Sequence, residues 1–201
     1  MQKALDHLSA ADPVLAKIIR QVGPYGIEFL EPSFEALVKS IVLQQLSGKV
    51  AGVIFGRLVE AAGGRPLTPA AVLELRTPKM RKIGLSQRKI EYIRDVARRI
   101  VSGKLDLDAL ADAPDEEVER ELTAIKGIGP WTVHMFLIFA LKRLNVMPSG
   151  DLGIRAAVRK VYGLEEMPSP AEVDQRALPW HPYCTVASWY LWRSLEDKSG
   201  L

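Results

Sequence analysis

The sequence predicts an all-α fold, built as one domain or as two lobes sharing one core, and three observations point there. Apolar residues recur with helical period through nearly every segment. No stretch alternates with the period of two that a half-buried strand needs. The breaks fall where glycine and proline cluster as helix ends. With 201 residues, 48% of them hydrophobic, the chain is long enough to bury a core. Its longest apolar run, Val133 to Leu141, is far short of the roughly 20 residues of a membrane span, and "MQKALDHLSAADP" has no signal-like apolar region. The expectation is a cytoplasmic monomer with no membrane association. A single cysteine, Cys184, excludes an internal disulfide and any four-cysteine zinc or iron–sulfur site made by this chain alone.

The elements follow in order. Phe34, Leu37, Val38, Ile41 and Val42 form one apolar stripe, and after "LQQLSG" a second holds Val50, Val53, Ile54 and Leu58. "AGGRPLTP" breaks the chain, and Thr68 with Pro69 is placed to start a short helix through Leu73 to Met80. Gly84 separates it from a helix carrying Ile90, Ile93, Val96, Ala97 and Ile100. Val118, Leu122 and Ile125 mark the next helix, and Trp131 to Leu141, apolar nearly all round, reads as a central buried one. "LNVMPSG" is a loop, Asp151 opens a helix through Val161, and a last helix carries Tyr183, Val186, Trp189 and Trp192.

Net charge is only +3, so distribution matters more than the total. Arg76 to Lys104 holds ten cations against Glu91 and Asp95, and Leu105 to Arg120 then holds seven acids, a block pattern that can give one positive face.

The string "IKGIGPWTV" interrupts two apolar helices with Gly127, Gly129 and Pro130. Each glycine costs a helix interior about 1 kcal/mol, so a tight turn is expected, with positive φ at both glycines and Pro130 in the first turn of the next helix. The N–H groups of the turn and of that helix's first residues would then be bare and backed by the helix dipole, which makes a phosphate site. The Gly-Lys-Ser/Thr ending of a nucleotide loop is absent, so a DNA backbone phosphate fits better, with Lys126 adding charge. Asp151 before "LGIRAAV" is, locally, a helix N-cap. A helix from Trp131 to about Arg143 rises roughly 20 Å and the loop to Gly150 spans about 23 Å at most, enough to return Asp151 beside the turn.

"LTAIKGIGPWTVHMFL" followed by "MPSGDLGIR" resembles the helix-hairpin-helix DNA glycosylase superfamily, in its 3-methyladenine DNA glycosylase II, or alkylpurine, branch. "FEALVKSIVLQQLSGKVA" and "MRKIGLSQRKIEYI" are similar to it too, so the resemblance covers about residues 33 to 195. It implies two helical lobes with a cleft between them, residues 1–32 with 143–201 in one and 33–142, carrying the hairpin, in the other. It further implies a hydrolase for alkylated purines in double-stranded DNA, with Asp151 as the catalytic carboxylate and Trp131, Trp189 and Met135 around the base. Gln45 matches the intercalating position, with Gln44 and Ser47 nearby, and Lys126, Gly127, Gly129 and Thr132 are expected at the phosphates. Where lyase members carry a Schiff-base lysine this chain has Trp131, so no strand cleavage is expected. No cofactor is required, although carbonyls of Thr123, Ile125 and Ile128 could hold a structural Na+ or K+. In a bacterium the protein would be nucleoid-associated. The alternatives are a non-catalytic DNA-binding module with the same hairpin, a glycosylase for oxidised or deaminated bases, and a helical scaffold with no DNA role.

Overall fold

The computed structural model describes residues 1–196, which hold thirteen α-helices and no strand. The chain divides into two compact units, one made of Met1–Glu28 with the chain from Lys142 onward, the other of Phe29–Leu141.

The first unit opens with α1 (Gln2–Ala11) and α2 (Pro13–Val22), which the sequence reading did not single out. Asp12 ends one and caps the other, accepting from the Val14 and Leu15 N–H groups.

The second unit runs from α3 (Phe34–Leu43) and α4 (Gly48–Ala61), capped by Ser33 and Ser47. The short helix expected through Leu73 to Met80 is two, α5 (Pro69–Glu74) and α6 (Thr77–Ile83). Leu75 and Arg76 are extended, Pro78 sits in the first turn of α6 where its missing N–H leaves no helical bond unmade, and the Arg94 guanidinium holds the break by donating to the Leu75 carbonyl at 2.5 Å and the Thr77 hydroxyl at 2.9 Å. Gly84, at φ +110°, closes α6, and Ser86 caps α7 (Gln87–Val101), which buries Ile90, Ile93, Val96 and Ala97. The acidic segment forms α8 (Leu107–Asp112) and α9 (Asp115–Thr123), whose first-turn Asp115, Glu116 and Glu117 complement the helix dipole. Then α10 (Pro130–Phe139) packs against both α3 and α9, burying Val133, Met135, Phe136, Leu137 and Ile138 as a central helix should. It stops short of the Arg143 expected, because the Leu141 N–H folds back onto the Phe136 carbonyl and Lys142 takes φ +58°.

Returning to the first unit, α11 (Leu152–Tyr162) ends at Gly163 in the left-handed region. A Ser169–Glu172 capping box starts α12 (Pro170–Ala177), a further helix the sequence reading passed over, and a 3-10 turn at Leu178–Trp180 leads to α13 (Cys184–Arg193). Leu8, Leu15, Ile154, Val158, Trp180, Val186, Tyr190 and Leu191 form this unit's core. The loop before α11 is stitched down by Thr185, whose hydroxyl donates to the Arg143 carbonyl at 2.7 Å and accepts from the Val146 N–H at 3.0 Å.

Candidate functional site

The hairpin between α9 and α10 belongs to the Phe29–Leu141 unit, and its geometry divides the two glycines. Gly127 has φ +87°, and a Cβ there would sit 2.2 Å from the Tyr92 ring, so both backbone freedom and the missing side chain are required. Gly129 departs from expectation. Its φ of −103° is open to any residue, and it serves as the N-cap of α10, with only open space where a Cβ would stand. Its carbonyl also takes the Thr132 and Val133 N–H groups, at 2.9 and 3.2 Å, so the expected row of bare amides at the start of α10 is shorter than the sequence suggested. Among the described residues, the N–H groups of Gly127 and Gly129 make no hydrogen bond, and Lys126 is exposed at the tip.

Gln44 and Thr132 brace this turn from inside. The Gln44 amide donates to the Gly127 carbonyl at 2.9 Å and to the Thr132 hydroxyl at 2.8 Å, and Thr132 is 2% exposed. Gln45 is different: it is exposed and holds φ +57°, an uncommon backbone for a residue with a side chain. Lys89 fixes the backbone just before it, donating to the Val42 and Gln44 carbonyls at 2.7 Å each, while burial pushes its amine below the ordinary lysine range. Ser47, exposed, caps α4 by accepting from the Val50 N–H. Trp131 is half-buried on α10 and Met135, one turn on, is buried. The Thr123 and Ile128 carbonyls accept no hydrogen bond among the described residues, whereas the Ile125 carbonyl accepts from the Ile128 N–H at 3.1 Å.

Asp151 belongs to the other unit, and there the cap is confirmed: Oδ1 accepts from the Ile154 N–H at 2.8 Å. The same oxygen accepts from the Trp192 indole N–H at 2.9 Å. Sequence reasoning missed that bond, because 41 residues separate the two and Trp192 read only as part of a helix face. Trp189, expected beside the base, packs edge-on against Tyr25 and Tyr190, with ring centroids 4.9 and 4.8 Å away. Cys184 is fully buried, which pushes its thiol to about 12, and Tyr183 packs edge-on against His7.

The chain is similar to known proteins along almost its whole length. Residues 38–182 match the family described as HhH-GPD superfamily base excision DNA repair protein. The chain is 36% identical over 200 residues to DNA-3-methyladenine glycosylase 1 of Schizosaccharomyces pombe, spanning 96% of this chain and 87% of that one. A solved structure of the S. pombe 3-methyladenine DNA glycosylase in complex with abasic DNA superposes with a TM-score of 0.90 at 35% identity, over 96% of both chains. The structure of a DNA-3-methyladenine glycosidase from Bacillus halodurans superposes at 0.79, with 38% identity over 95% of this chain and 88% of that one. With the family match covering most of the chain and more than a third of the residues identical over almost its whole length, the chain belongs to the HhH-GPD superfamily of base excision DNA repair proteins, in its DNA-3-methyladenine glycosylase branch.

Proposed function

We propose that this protein is a monofunctional DNA glycosylase that hydrolyses the N-glycosidic bond of alkylated purines, of the 3-methyladenine and 7-methylguanine type, in double-stranded DNA. The observation that carries the reading is the Asp151 carboxylate, held on one oxygen by donors from two helices in a chain of this family. A purine methylated at N3 or N7 carries a formal positive charge. Its bond to C1′ breaks with the electron pair going to the base, which leaves neutral, while the sugar becomes an oxocarbenium ion. A nearby carboxylate lowers that barrier electrostatically, as in glycoside hydrolysis. Water then adds to C1′ and loses a proton to solvent, leaving an abasic site. Because the leaving group is already activated, no paired general acid is needed. Trp131 takes the place of a lyase lysine and offers the base an electron-rich face, so the strand stays intact.

The base must first leave the stack. Exposed Gln45 is suited to fill the gap, and the Gly127 and Gly129 N–H groups with Lys126 suit a backbone phosphate. The Thr123, Ile125 and Ile128 carbonyls suit a Na+ or K+ ion, which would add positive charge to the hairpin.

The test is release of free base from methylated duplex by the wild type and Asp151→Asn, with duplex binding followed alongside. Asn still caps α11. Release that falls at least about a hundredfold with binding retained is expected. Binding without release by the wild type would point instead to a non-catalytic module, and release only of oxidised or deaminated bases would overturn the alkylpurine assignment.

A further inference from the structure

We propose that Trp192 is a positioning residue for Asp151, acting on base release only through that carboxylate; the inference rests on Asp151 being the group that faces the sugar. An N-cap bond to Ile154 pins one oxygen of the carboxylate but leaves its plane free to turn about that contact. The Trp192 N–H, donated at 2.9 Å to the same Oδ1, comes from α13, a different helix packed on α11. Two donors on different helices set both the place and the tilt of the group. The indole N–H is a donor only and does not exchange protons with substrate, which confines Trp192 to geometry.

Room for this bond is built into the helix. A Cβ on Gly153 would lie 2.9 Å from Asp151 Oδ1 and 3.2 Å from Trp192 Cδ1. Glycine inside the first turn of α11 costs helix stability relative to alanine, and the space it leaves is the space in which carboxylate and indole meet.

A double-mutant cycle tests the proposal. Single-turnover base release and binding to abasic duplex are measured for the wild type, Trp192→Phe, Asp151→Asn and the double variant. Phenylalanine keeps a ring on α13 and removes the donor. The expected result is a fall in release of about tenfold to a hundredfold for Trp192→Phe, with abasic-duplex Kd within about twofold, and almost no further loss when it is added to Asp151→Asn. Wild-type release by Trp192→Phe overturns the proposal. So does an equal loss in both backgrounds, which would mean that the indole touches the base or merely holds the fold. Should Trp192→Phe fail to fold, Gly153→Ala crowds the same contact and must show the same coupling. A wild type that releases no methylated purine sinks the functional reading itself, whereas an active wild type with uncoupled Trp192 sinks this inference alone.

Discussion

Gln45 and Asp151 illustrate how single residues carry two demands at once. Gln45 sits exposed at φ +57°, where a side chain clashes with its own backbone at a cost of roughly 1–2 kcal/mol. Gln45→Gly relieves that strain and removes the side chain, so the variant should be more stable by about 0.5–1 kcal/mol in urea unfolding and yet slower in releasing base from duplex. A variant both more stable and fully active would remove Gln45 from the flipping step. Its unusual backbone was not legible in "LQQLSG", because the conformation is imposed by Lys89, 44 positions away, binding the carbonyls of Val42 and Gln44. Asp151 was legible as a cap from local sequence alone. Its second partner was not, since nothing in the spacing of Trp189 and Trp192 says which indole N–H meets the carboxylate.

At the scale of elements, the hairpin was legible because glycine and proline act locally, through φ and a missing N–H. What Gly127 avoids is not local: the Tyr92 ring of α7 fills the space where a Cβ would stand. Gly127→Ala should therefore cost about 2–4 kcal/mol by combined strain and overpacking, and Tyr92→Ala in the same chain should recover part of it. Chemical denaturation of both variants checks this, and a double variant no more stable than the single one would show that φ alone decides. Helices α3, α4 and α7 were read from their apolar period, and α10 from being apolar nearly all round. The break between α5 and α6 escaped because it depends on Arg94 reaching the Leu75 carbonyl, and α8 and α12 are six and eight residues long, too short to display a period.

At the scale of the molecule, the unit built from both chain ends is closed by Asp12. Its Oδ2 accepts from the Tyr162 hydroxyl at 2.5 Å and the Trp180 indole at 3.0 Å, joining α2 to α11 and to the turn before α13. Burial raises the Asp12 pKa, but bonds from Tyr162, Trp180, Leu15 and Val14 together bring it below its ordinary value. A depressed folded pKa gives stability that is present above the unfolded value, about pH 4, and is lost as pH falls through the folded one. Thermal unfolding from pH 7 into acid should thus show a steeper loss for the wild type than for Asp12→Asn, which cannot titrate; parallel curves would remove Asp12 from the acid transition. None of this network was foreseen, since its members lie at positions 12, 162 and 180 and meet only through packing. By itself the sequence determined the all-α class, the helix periods, the glycine turn and the cap at Asp151, because each depends on a few neighbouring residues. Tertiary structure alone decided that Gln44 braces the hairpin from within, that Tyr92 requires Gly127, and that the Trp192 indole holds Asp151, because those contacts join distant segments whose meeting is set by how helices pack.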